Sequence, residues 1–134
     1  MPYQITFVPE CDVIVVRLTG ELTPAEVQAG MNEIPSQSWF RPHIKLIIDA
    51  RGCTTRMTGA DIERLADHAK HLDPVWGESK WAVLATADLF YGLSRMYMAF
   101  TANCRVQTKV FRNIADAADW LGDVDVEEAL KRAG

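Results

Sequence analysis

The sequence predicts an α/β fold, a mixed and mostly parallel sheet of five strands flanked by about four helices. Two strand-like runs near the start are separated by the turn-forming Pro9-Glu10-Cys11-Asp12. Three later apolar runs, at 44–48, 81–85 and 106–111, alternate with segments whose apolar residues recur at helical spacing. Alternation of this kind implies right-handed crossovers and a largely parallel sheet, with the N-terminal hairpin adding an antiparallel strand at one edge.

Residues 3–8 alternate weakly, and residues 13–18 (VIVVRL) favour strand strongly. Thr23 then opens a first helix: Pro24 follows at its first position, and Glu26 completes a capping box. This helix should fade near Pro35. The run at 44–48 has almost no polar face, as in a sheet covered on both sides. A second helix starts at Thr58 and places Ile62, Leu65, Ala66, Ala69 and Leu72 on one stripe, with Asp73-Pro74 as its stop. After WAVLA at 81–85, the string Thr86-Ala87-Asp88 should cap a third helix with Leu89, Leu93, Met96, Tyr97 and Phe100 in phase. Residues 106–111 form the last strand, and Asn113 caps a fourth helix that Gly122 ends. Residues 123–134 make a short terminal helix or tail. The order is β-β-α-β-α-β-α-β-α, and a two-layer or a three-layer sandwich both fit it.

Composition sets bounds on function. A chain of 134 residues, 49% hydrophobic and 24% charged, makes one globular domain, 1–134. The net charge of -4, with both signs mixed, argues against a nucleic-acid surface. No apolar run approaches the ~20 residues of a membrane span. Cys11, Cys53 and Cys104 are odd in number and far apart, which argues against a disulfide framework and points to a cytoplasmic protein.

The strings IKLIIDARG (44–52), WAVLATADLFYGLSRMYMAF (81–100) and VFRNIADAADWLG (110–122) together resemble the SpoIIAA-like family, relatives of the STAS domain. The resemblance spans nearly the whole chain. It implies a five-stranded mixed sheet with helices, and a module that acts by interaction rather than catalysis. It further implies two functional positions. Thr58-Gly59 stands where antagonist-type STAS domains carry a phosphorylated Ser-Gly, although the family's acidic-Ser-Ser-Gly string is replaced here by Arg56-Met57-Thr58-Gly59. Some members of this branch have been proposed to bind apolar, lipid-like ligands.

Read from the residues alone, Thr58 with Asp61 is an ordinary cap. Asp49 and Asp88 stand at strand ends, where open α/β sheets bind ligands, but capping is the commoner role there. His68 and His71 lie opposite the apolar stripe of their helix, and no third ligand is spaced to hold a metal with them. The third helix is apolar on more than one face. Either the helix packs wholly into the core under its loops, or Tyr91, Gly92, Met96 and Tyr97 wall a pocket or a dimer contact, with Arg95 meeting an anionic head group, a partner's carboxylate or simply an acidic neighbour. Gly92 costs about 1 kcal/mol inside a helix, which implies close approach by another group. Trp39-Phe40 and Trp76, in connecting segments, should fold back over the core as lids.

The expected function is therefore a non-enzymatic binding or regulatory module that contacts a protein partner or a second copy of itself. The alternative is a carrier or sensor of a small apolar ligand beside the third helix. No cofactor and no metal are expected.

Overall fold

The computed structural model describes residues 2–134 and shows five strands and five α-helices. Strands β1 (Tyr3–Val8) and β2 (Val13–Leu22) form the expected antiparallel hairpin. Strands β3 (Lys45–Thr55), β4 (Ser79–Leu84) and β5 (Val106–Phe111) follow in parallel, so spatial order equals chain order, β1-β2-β3-β4-β5. Helices α1 (Pro24–Glu33), α2 (Gly59–Trp76) and α3 (Asp88–Phe100) are the three crossovers. Strands that advance in one direction, joined by crossovers of one hand, put all three helices on the same face. Helices α4 (Ile114–Leu121) and α5 (Val126–Arg132) come after the last strand and cover the other face. The sandwich thus has three layers.

Alternation along the strands serves both faces. Ile14, Val16 and Leu18 of β2, Leu46 of β3, and Trp81 and Val83 of β4 pack toward α1–α3. Val13, Val15, Ile47, Ala82 and Leu84 pack toward α4 and α5. The three interior strands, β2, β3 and β4, are apolar on each side, as a doubly covered sheet requires.

The caps expected at Thr23, Thr58 and Asn113 all form, the first two as reciprocal boxes with Glu26 and Asp61. Three expectations are corrected. First, α2 runs through Pro74 to Trp76. Proline removes only one N–H, near the end of the helix, and burial of Trp76 against Phe40 and Trp81 rewards the extra turn. The stop is Gly77, at φ +66°, where a side chain would collide with the His43 ring. Second, β3 does not end near Asp49 but continues to Thr55, with an irregular register against β2 between Arg17 and Thr19. Third, Thr86 does not cap α3. Ala87 occupies that position without a side-chain bond, while Arg112 engages the Thr86 carbonyl and the Asp88 carboxylate.

Candidate functional site

Helix α3 turns Phe90, Leu93, Ser94 and Tyr97 toward the sheet, a stripe at three- and four-residue spacing. Opposite them stand Leu46, Trp81 and Val83 of the sheet. Ile62, Leu65 and Trp76 of α2 make a second wall, and Val27, Gly30 and Met31 of α1 a third. These surfaces do not close on one another. They leave a pocket of about 140 Å³, lined almost wholly by carbon. An apolar void of ~150 Å³ in another protein stays dry and takes up benzene, so this space suits a guest of one small ring or a short chain. An entire lipid would extend beyond this space, since pockets that enclose drug-sized molecules run to about 300 Å³ or more.

Helix α1 is the least anchored wall. None of its residues is fully buried. The Tyr3 hydroxyl donates to Glu33 at 3.2 Å, and His68 Nε2 meets Asn32 Oδ1 at 2.8 Å. The second of these bonds shows where the polar face of α2 goes.

The polar groups around the pocket are few. Tyr97 is packed in, and burial pushes its phenol well above the ordinary value, with the neighbouring Cys104 and Asp73 adding to the effect. The indoles of Trp76 and Trp81, 1% and 6% exposed, meet edge to face with centroids 4.8 Å apart. Neither indole N–H has a hydrogen-bond partner. A buried donor left unpaired costs about 1–3 kcal/mol, so two in contact are unusual.

The two carboxylates singled out in sequence are not brought together as one site. Asp49 is 5% exposed and sits mid-strand, where Arg51 grips both of its oxygens at 2.9 and 3.0 Å and Arg17 approaches to 3.6 Å. Burial would raise its pKa, but the hydrogen bonds from Arg51 and the charges of Arg51 and Arg17 outweigh this and hold it below the usual range. Asp88 is exposed and paired with Arg112 at 2.9 Å. Among the described residues, no group of three His, Cys, Asp or Glu is placed to hold a metal. Burial, aided by Asp49, pushes the Cys53 thiol up to about 11 and leaves it a poor nucleophile.

Among solved structures, the chain is similar to an uncharacterized protein of the DUF3478 family from Shewanella loihica PV-4, described as having a SpoIIAA-like fold. The two share 17% identity with a TM-score of 0.54, over 89% of this chain and 91% of that one. The fold is SpoIIAA-like. No family model matches the chain, and no curated protein matches it. No helix among the described residues is long and apolar enough to cross a membrane.

In this SpoIIAA-like fold, Thr58 is the exposed N-cap of α2, its hydroxyl accepting from the Asp61 amide at 3.2 Å. Of the five α3 residues expected to bind a ligand or partner, only Tyr97 reaches the pocket. Tyr91 lies under the Arg112 guanidinium at 4.0 Å. Arg95 is exposed and outside the pocket wall. Gly92 is exposed with open space about it, so the close approach inferred from its cost is absent. Met96 instead reaches toward Gly59, where an added Cβ would lie 2.8 Å from its Cε. The phase of α3 explains the miss. Its pocket stripe holds Phe90, Leu93, Ser94 and Tyr97, whereas Tyr91, Gly92, Arg95 and Met96 fall on the neighbouring faces. The contributions of α1 and of Trp81 had no local signal, because they depend on how three crossovers converge. Trp39 and Phe40 do fold back, stacking on Phe7 at 5.3 Å and meeting Trp76 at 5.0 Å.

Proposed function

We propose that this protein binds a small apolar molecule in the pocket between α1, α2, α3 and the sheet, and acts by binding rather than by catalysis. The observation that carries this reading is the pocket itself, about 140 Å³ of carbon-lined space between the three helices and the sheet that is partly open to the outside. Close-packed interiors rarely leave voids much larger than a water, because each one forfeits dispersion contacts and stability. Carbon surface left facing this space is apolar area that a guest would remove from water. It therefore favours the ligand-binding reading over the protein-interaction reading that the family resemblance put first.

Methylcyclohexane serves as a probe. Ligand at ~100 times its Kd stabilises the folded state by about 2.7 kcal/mol, so the melting temperature should rise measurably as the probe is added. Ser94→Leu places a larger side chain in the pocket and should abolish that rise while the protein remains folded. Absence of any rise in the unsubstituted protein would sink the proposal.

A second reading has its own observation. Leu89 and Met96, 61% and 39% exposed, lie on the outer face of α3, and Met96 adjoins the start of α2 beside Thr58. Apolar residues exposed together suit a docking partner or a second copy of the chain. Phosphate on Thr58 would add charge at the margin of that face.

A further inference from the structure

We propose that the guest is an unbranched aliphatic chain lying across the strands, rather than a compact ring; this rests on the pocket reading above. The register of the sheet carries the inference. Ile5 of β1 pairs with Val16, Val16 with Ile48, and Ile48 with Val83, so these residues form one row across four strands. In the next row Leu46 pairs with Trp81, and Trp81 with Thr108 of β5. All of these side chains line the pocket. Its floor therefore crosses every strand of the sheet. Neighbouring strands lie about 4.8 Å apart, so the four steps from β1 to β5 cover about 19 Å.

The roof is made in the same succession. Val27 and Gly30 of α1 stand at the β1 end, where a Cβ on Gly30 would lie 3.8 Å from the Tyr3 ring. Ile62 and Leu65 of α2 come next, and Leu93 and Tyr97 of α3 cover the β5 end. One space of about 140 Å³ drawn out beneath three helices is a narrow slot. A chain one methylene wide can follow it and touch carbon along its length. A ring fills one section and leaves the rest of the wall facing water. Each methylene buried adds to binding, so the shape that covers more of the wall is preferred. The partial opening lets a polar end group keep its water.

The test compares n-heptanol with cyclohexylmethanol, two seven-carbon alcohols that differ in shape. On the unsubstituted protein n-heptanol should bind about tenfold tighter, the worth of one to two more methylenes against the wall. From n-butanol to n-heptanol, affinity should rise about fourfold per carbon. Gly30→Leu and Thr108→Leu shorten the slot from opposite ends. Each should weaken n-octanol by about fourfold or more, and cyclohexylmethanol, seated in one section, should respond to at most one of them. Leu is favoured over Gly inside a helix, so Gly30→Leu should fold. Should Thr108→Leu fail to fold, the unsubstituted protein supplies an independent readout. NMR contacts from bound n-heptanol should reach the methyl groups of Val16, Ile48 and Val83 together, a row about 10 Å long.

The inference is overturned if n-heptanol binds no tighter than cyclohexylmethanol, or if affinity stops rising after n-butanol. It is also overturned if both Leu variants weaken chain and ring alike. In each case the pocket reading stands as long as methylcyclohexane still raises the melting temperature. If neither the alcohols nor methylcyclohexane bind, the pocket reading itself fails, and the inference with it.

Discussion

Asp49 joins sequence, electrostatics and stability at a single residue. It sits in an apolar strand because two arginines accompany it, Arg17 directly across on β2 and Arg51 two residues on. Removing one partner of a buried pair costs up to ~3–5 kcal/mol, and the partial exposure of both arginines lowers that figure. Asp49→Asn should therefore destabilise the protein by about 2 kcal/mol in urea unfolding. The pH dependence follows from the lowered pKa. An unfolded Asp titrates near ~3.9, so a group depressed below that contributes its full stability above pH ~4 and loses it as pH falls through the folded value. The urea midpoint of the unsubstituted protein should drop on acidification below pH ~4, and that of Asp49→Asn should drop less. The sequence shows the Asp but not its role, because Arg17 is 32 residues away in the chain and becomes a neighbour only through strand pairing. The caps at Thr23, Thr58 and Asn113 were legible because donor and acceptor lie within three residues of each other.

The end of α2 is where an element departs from its local signals. Asp73-Pro74 reads as a stop, yet the helix continues because Trp76 is worth more buried than the lost amide bond costs. Asp73 has a second task, since its carboxylate accepts from the Arg105 and Val106 amides at 3.0 Å and joins the end of α2 to the start of β5. Asp73→Ala should cost about 2 kcal/mol, from two bonds at roughly 1 kcal/mol each. The Val106 amide should exchange with solvent faster in that variant. Equal exchange rates would show that α2 and β5 are held together by packing alone. The C-terminus of α4 is handled similarly: Lys45 and Lys80 donate to the Leu121 and Trp120 carbonyls at 2.7 and 2.9 Å.

For the whole molecule, the distribution of helices decides where function can reside. On one face, α4 and α5 close a filled layer in which Val126, Ala117 and Ala129 are fully buried. On the other, three longer helices must converge over the same sheet, and the pocket is the space they leave. Helix α1, with no fully buried residue, is the wall most able to open. Hydrogen exchange should therefore show α1 amides exchanging through local opening while those of β2, β3 and β4 exchange only on global unfolding. Methylcyclohexane should slow exchange in α1, and should fail to do so in Ser94→Leu. Uniform protection across the chain would refute the view of α1 as the mobile wall.

By itself, the sequence determined the five strands, the alternating helices and most caps, because periodicity and capping act within a few residues. Its motif strings pointed to the SpoIIAA-like fold, which the structural similarity supports. Tertiary structure alone decided the extension of α2, the sequestering of Asp49 and the faces on which Arg95 and Gly92 lie. It alone formed the pocket and its two unpaired indoles. A cavity is a mismatch among surfaces distant in the chain, and no local pattern encodes the space that remains when they meet.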